Sequence, residues 1–230
     1  MACLWCHGAI ESTLTVADIL CFRPLQPPRI CSECLATFQR IPKVNICPVC
    51  QRLNTKGEVC EQCQAWQQLW PNERIENQAV FYYNQTMQAF FQRYKGDGDY
   101  RLAACFQAQL GAAIKPRSKR LFTYIPSAPS HFAQRGFDPV VGLFKDVVPL
   151  VTLMAKVETA QSQAQKSRQA RLDTPQFLTF TGGRRQLKGI DEIIILDDIY
   201  TTGRTLMHGR TCLRQAGFNG DLKTFCLVRA

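Results

Sequence analysis

Four apolar residues, Ile193-Ile194-Ile195-Leu196, run straight into two adjacent acids, Asp197 and Asp198, and two residues later into Thr201-Thr202-Gly203-Arg204-Thr205. An unbroken apolar run of this length, followed by turn chemistry, reads as a strand covered on both faces, the habit of parallel sheets flanked by helices. Such a strand delivers Asp197 and Asp198 to its C-terminal edge, where open α/β folds hold ligands. Paired carboxylates there can accept hydrogen bonds from a sugar diol, or hold Mg²⁺ through water. The threonine-glycine turn then opens a helix predicted over about 205–215, and its N–H groups and hydroxyls suit a phosphate. Gly203 lets the backbone approach that phosphate closely. The plainer reading is a buried strand whose exit happens to be acidic and threonine-rich.

The rest of the chain from Val80 alternates strand-like and helix-like signals, as an α/β sheet requires. Strands are expected at Val80–Tyr83, Leu121–Ile125, about 150–154, Ile193–Leu196 and Thr224–Val228. Met87, Phe90, Phe91 and Tyr94 recur at helical spacing and stop at Gly96-Asp97-Gly98. Asp99 is placed to cap a second helix burying Leu102, Phe106 and Leu110, and a third runs over about 138–147. Residues 156–175 lack periodicity and read as a surface loop. Residues 67–78 are polar and unpatterned. The predicted organisation is therefore a cysteine-rich module over 1–66, a linker over 67–78 and an α/β domain over 79–230.

Nine of the twelve cysteines fall within the first 63 residues, and eight of them form four C-x-x-C pairs: Cys3/Cys6, Cys31/Cys34, Cys47/Cys50 and Cys60/Cys63. Each pair aims two thiolates at one point, and two pairs close a tetrahedron around Zn²⁺. Sequential pairing gives one site from Cys3, Cys6, Cys31 and Cys34 and another from Cys47, Cys50, Cys60 and Cys63; interleaved pairing is the alternative. Either way no coordination position stays open, so the two zinc ions are expected to be structural. The segment has too few large apolar side chains to make a core without metal. A haem-attachment reading of Cys3-Leu4-Trp5-Cys6-His7 leaves three pairs unexplained, and a thioredoxin-type pair lacks its flanking strand and helix. Cys21, Cys105, Cys212 and Cys226 are expected to pack as small apolar residues.

No stretch of 18 apolar residues occurs and no basic region precedes an apolar run at the N-terminus, so membrane insertion and secretion are not expected and the cytoplasm is. The net charge is +10, and residues 76–230 hold 21 Lys/Arg against 12 Asp/Glu. Basic residues bunch at 115–120, 166–171 and 184–188, as an anionic partner such as nucleic acid or a phosphorylated small molecule would require. Tyr124, Phe132 and Phe137 lie near them and could stack bases, whereas Phe122 reads as core. His131 and His208 are isolated and read as surface or packing residues.

The Asp-Asp-x-x-Thr-Thr-Gly run resembles the signature of the phosphoribosyltransferase superfamily, with Tyr200 where an aliphatic is usual. Ile125-Pro126-Ser127-Ala128-Pro129, the Gln134-Arg135-Gly136-Phe137-Asp138 segment and Phe90-Phe91-Gln92-Arg93-Tyr94-Lys95-Gly96-Asp97-Gly98-Asp99 are similar to segments of ComF-type competence proteins, whose N-terminus is a double zinc ribbon. Asp138 stands where that family usually has Asn. The resemblance implies a type I phosphoribosyltransferase-like domain behind the zinc module. It implies 5-phosphoribosyl 1-pyrophosphate (PRPP) and Mg²⁺ as ligands, with Asp197 and Asp198 as the catalytic pair and both acids contacting the ligand. Thr201, Thr202, Gly203, Arg204, Thr205 and Arg135 complete the implied binding set, Arg135 and the 126–129 turn facing the pyrophosphate. Lys166, Arg168 and Arg171 match basic positions of a mobile loop. The implied setting is natural transformation, with single-stranded DNA and a ComFA-type helicase as partners. A transferase acting on a nucleobase or amine is the alternative.

Overall fold

The computed structural model describes residues 1–11, 28–71, 73, 76–157 and 176–230. Its centre is a parallel sheet of β1 (Asn77–Tyr82), β2 (Arg120–Tyr124), β5 (Glu192–Tyr200) and β6 (Asp221–Arg229), in the spatial order β1-β6-β5-β2. A separate antiparallel pair, β3 (Met154–Lys156) and β4 (Leu178–Phe180), lies beside it. The fold is thus mixed α/β with a four-stranded parallel sheet. Strand β5 is flanked on both sides, Ile194 standing opposite Phe122 of β2 and Lys223 of β6. Its side chains alternate between two cores, which is why the run is wholly apolar.

On one face, Ile194 and Leu196 pack with Phe122, Phe144 and Phe225. This layer contains α3 (Gln85–Phe91), a 3₁₀ helix (Tyr100–Phe106), α4 (Gln107–Ala113) and α6 (Pro139–Phe144). On the other face, Ile193 and Ile195 pack with Leu206, Leu213 and Leu222, beneath α7 (Arg204–Gln215). The cysteine-rich segment straddles the β1 edge and contributes to both cores. Cys3, Ile30 and Phe38 join the first, and Cys47, Cys50, Cys63 and Trp66 join the second. Its two short helices are α1 (Ser32–Ala36) and α2 (Glu61–Leu69).

That segment also occupies the open hydrogen bonds of β1. Tyr82 N donates to Gln39 O (2.8 Å), Ile41 N to Val80 O (3.2 Å), and Asn77 N to Val49 O (2.8 Å). A strand edge left bare would be a template for pairing with another chain, and here it is covered. Within 67–78, Glu73 accepts from Arg210 Nη2 (2.6 Å) and Arg214 Nε (2.5 Å), and Asn77 already opens β1. Among the described residues no helix is long and apolar enough to cross a membrane.

Several elements differ from expectation. The helix through Tyr94 is α-helical only to Phe91 and continues as a π-helical turn, Gln92–Gly96. Asp99 does not cap an α-helix: its carboxylate accepts from Arg101 (2.9 Å) and pairs with Arg93, and the chain from Tyr100 to Phe106 is 3₁₀. The strand expected at 150–154 is a single bridge from Leu150 to Phe122, with β3 starting only at Met154. Helix α5 (Pro129–Arg135) has no counterpart among the expected elements, although Pro129 suits a first helical position and Gly136, at φ +76°, ends it in the left-handed conformation. Strands β5 and β6 both extend beyond the predicted limits, so Asp197 and Asp198 lie within β5 rather than after it. Cys21, Lys166, Arg168, Arg171 and the loop over 158–175 lie outside the described residues.

Phe38 offers a test of how firmly the cysteine-rich segment is joined to the sheet. It is 2% exposed and meets Phe106 edge-on at 4.9 Å, with Phe81 and Phe90 also in contact range. Phe38→Ala is expected to lower stability by about 3–5 kcal/mol in urea unfolding. The unfolding should remain one transition, because the cavity lies in a core shared by the segment and the sheet.

Candidate functional site

The C-terminal ends of β2 and β5 border a cleft of about 280 Å³, lined among others by Asp197, Asp198, Thr201 and Thr205. Its opposite wall is basic: Lys95, Arg135, Lys156 and His131. Each reaches the cleft by a different local device. The π-helical turn carries Lys95 over the Phe91 ring (4.8 Å) to an ion pair with Asp198. Arg135, the last residue of α5, donates from Nε to the Lys95 carbonyl (3.2 Å). Lys156 ends β3, its ammonium 5.2 Å from the centre of the Phe177 ring.

Electrostatics in the cleft are strained by proximity. Burial, with the neighbouring Asp198 charge adding to it, pushes the Asp197 carboxyl up to about 8. Its Oδ1 accepts from the Asp198 N–H at 2.9 Å, which partly offsets this. Burial likewise lowers Lys156, against the pull of Asp197 and Asp198. His131 is held below its ordinary value by burial first and then by Arg135, Lys156 and Lys95, so its imidazole is neutral at pH 7. Two acids facing four nitrogenous groups suit an anionic ligand accompanied by a divalent cation.

The turn from Thr201 to Thr205 divides between two surroundings. Thr201 and Thr205 line the cleft; Thr202, Gly203 and Arg204 lie outside its wall. Thr202 is 6% exposed, and its hydroxyl accepts from Arg204 N at 3.3 Å. Arg204 turns the other way, over the rings of Trp66 (5.9 Å) and Trp70 (6.0 Å). Gly203 has φ +82° and provides no side chain to cap α7, whose first N–H, that of Arg204, is taken by the Thr202 hydroxyl instead. A Cβ on Gly203 would also collide with the Tyr200 hydroxyl, so the position excludes any side chain twice over.

The cysteines gather sequentially. The sulfurs of Cys3, Cys6, Cys31 and Cys34 lie within 4.8 Å of one another, as do those of Cys47, Cys50, Cys60 and Cys63. Tetrahedral Zn²⁺ at about 2.3 Å per bond sets sulfurs about 3.8 Å apart, and Cys6–Cys31 (3.9 Å) and Cys50–Cys60 (3.7 Å) match that spacing. Backbone N–H groups of Cys31 and Cys60 donate to Cys3 Sγ and Cys47 Sγ (3.3 Å each), as thiolates require. Both clusters fit a structural metal ion. Cys105, Cys212 and Cys226 are buried and belong to neither.

No family model matches the chain. Over its full length, however, it is 37% identical to Competence protein ComFC of Streptococcus pneumoniae, across 232 residues that span the whole of that protein. The chain belongs to the ComF family. Competence protein ComFC of Bacillus subtilis is 25% identical over 240 residues, covering all of this chain and 95% of that protein.

In this ComF protein, the Asp at 138 has a local cause. One carboxylate oxygen accepts from Val140 N (2.9 Å) and Val141 N (3.1 Å) at the start of α6, and the other accepts from Ser127 N (2.6 Å). The side chain therefore pins the Ile125–Pro129 turn to α6, and both oxygens must accept. Lys95, Lys156 and His131 were not singled out for the cleft by sequence reasoning. His131 in particular is a cleft residue rather than a bland surface one. A lysine directly before Gly-Asp-Gly was visible, but only the π-helical turn brings it to Asp198.

Asp138→Asn keeps one acceptor but turns an NH₂ toward Ser127 N–H, and is expected to cost about 1–3 kcal/mol in urea unfolding. A chelator strong enough to strip zinc should release two equivalents per chain and lower the melting temperature, while Cys47→Ser should retain one. For Asp197, a folded value above the unfolded one of about 4 favours folding only while the carboxyl is protonated. That contribution is whole below pH of about 4 and lost as pH rises through about 8. Without ligand or divalent cation, Asp197→Asn should therefore be more stable than wild type at pH 8 and no more stable at pH 4. Urea midpoints at the two pH values decide it.

Proposed function

We propose that this ComF protein acts in the cytoplasm in natural transformation, handling incoming single-stranded DNA, and that its cleft binds PRPP with Mg²⁺. The supporting observation is the convergence of Asp197, Asp198, Thr201 and Thr205 with Lys95, Arg135 and Lys156 at one C-terminal sheet edge. On this reading Asp197 and Asp198 take the ribose hydroxyls and the hydrated Mg²⁺. The first turn of α7, with Thr201 and Thr205, takes the 5-phosphate. Arg135 and the 126–129 turn take the pyrophosphate, with Lys95 as its neighbour. The domain is then of type I phosphoribosyltransferase kind, and both Cys₄ clusters hold structural zinc. The curated relatives are both named competence proteins. The exposed basic runs Lys115–Arg117 and Arg184–Lys188 favour a polyanionic partner, and Phe132, 50% exposed, offers a ring for base stacking. A ComFA-type helicase is the proposed protein partner.

A second reading, an active transferase on a nucleobase or amine, is favoured by one observation. His131 is a neutral imidazole in the cleft wall, able to accept a proton from an acceptor amine.

Calorimetric titration with PRPP should show binding in Mg²⁺ that weakens at least tenfold in Asp198→Asn; equal binding by that variant would contradict the assignment of the acids. Single-stranded DNA retention on filters should fall steeply as salt rises. Pyrophosphate release from PRPP across a panel of acceptors, abolished by Asp197→Asn, would establish the transferase reading, and its absence with bound PRPP would leave the binding role.

A further inference from the structure

The two cysteine clusters differ in what they touch. The first packs by Trp5 against Phe38 and Phe90, and its Trp5 carbonyl accepts from Arg93 at 3.0 Å, all on the face away from α7. The second reaches the turn that precedes α7. Trp66, three residues after Cys63 and 2% exposed, donates its indole N–H to the Thr202 carbonyl at 2.8 Å. Arg229, at the end of β6 and 1% exposed, donates from Nη1 to the carbonyls of Tyr200 (3.3 Å) and Thr201 (3.2 Å). Its Nη2 lies 3.8 Å from Cys50 Sγ, and its guanidinium stacks 4.9 Å from the centre of the Tyr200 ring. Three consecutive carbonyls, 200 to 202, are therefore held by side chains anchored on or against the second cluster.

The peptide unit turns that grip into a directional device. In a planar trans peptide the N–H points opposite to the C=O of the preceding residue. Carbonyls 200, 201 and 202 directed at Trp66 and Arg229 direct the N–H groups of Thr201, Thr202 and Gly203 away from the second cluster. An array of successive N–H groups held on one side is what an anion binds. The Tyr200 carbonyl is held in addition by the Ala230 N–H of the sheet (2.9 Å), so it is the peptides after Thr201 and Thr202 that would rotate without the grip and would have to be ordered by the ligand.

We propose that the second cysteine knuckle is the positioning element of the phosphate turn. Trp66 and Arg229 are its positioning residues, neither touching ligand, and affinity at the turn depends on the Cys47/Cys50/Cys60/Cys63 cluster being intact. The inference rests on the reading of that turn as the phosphate site, and it adds a dependence of that site on one cluster and not the other. It also accounts for a tryptophan in a nine-residue helix that is otherwise largely polar: Trp66 is, with Cys63, one of only two buried residues on α2.

The test uses the full chain, in wild-type, Trp66→Phe and Arg229→Gln forms. Trp66→Phe keeps an aromatic ring in the core and removes only the donor. Zinc content, amide hydrogen exchange over residues 200–206 and calorimetric titration with PRPP and Mg²⁺ are measured on each. Both variants should keep two zinc ions, exchange faster across 200–206 by about five- to tenfold, and bind PRPP about five- to tenfold more weakly, the effect of losing one buried hydrogen bond in Trp66→Phe and two longer ones in Arg229→Gln. Unchanged exchange and unchanged affinity in both would overturn the proposal. If wild type itself fails to bind PRPP, the phosphate reading falls; the exchange comparison then still decides positioning, faster exchange supporting it and unchanged exchange overturning it. Should Trp66→Phe not fold, Arg229→Lys, which keeps the charge but loses the two-pronged donor, carries the same comparison.

Discussion

The structure is organised by strand β5. Every side chain from Ile193 to Leu196 is buried, alternate ones on opposite faces, so helices must cover both sides and the chain's polar chemistry is driven to the strand's C-terminal end. There Asp197 and Asp198 sit side by side, one of them so enclosed that it resists ionising near neutral pH. A carboxylate in that position destabilises the unliganded protein. Natural proteins tolerate such a group where a ligand or cation later offsets it.

The cysteine-rich segment is structurally part of the sheet it precedes. It covers the exposed edge of β1 and adds apolar residues to each core, one cluster per face. A segment this poor in large apolar residues cannot bury enough surface to fold unaided. Its two Cys₄ groups fit a structural metal ion, and Phe38 and Trp66 join the segment to the α/β layer. Trp66 and Arg229 extend that dependence to the turn beside the cleft.

Much of this was legible in the chain. The apolar-then-acidic run located β5 and the cleft's acids because a doubly covered strand has almost no other way to be written. The C-x-x-C spacing located both clusters, since ligand geometry is local, though sequential pairing had to come from the fold. What escaped was non-local or irregular. Lys95 depends on a π-helical turn that no periodicity announces, and Lys156 on the end of a three-residue strand. Helix α5 carries no buried residue, so it has no apolar stripe to read. Arg204, implied as a ligand contact by its place in the motif, carries its guanidinium over two tryptophans from the N-terminal part of the chain, a neighbourhood no local pattern announces.

On the proposed reading, the cleft between β2 and β5 grips a ribose carrying a phosphate and a pyrophosphate, through its two acids and the turn before α7. Crystals grown with PRPP and Mg²⁺ address it directly. Electron density for the ribose at Asp197 and Asp198, for a phosphate at the start of α7, and for pyrophosphate beside Arg135 is the predicted result. A cleft still holding only the Lys95–Asp198 ion pair at saturating ligand, or the ligand bound elsewhere on the basic surface, would contradict it.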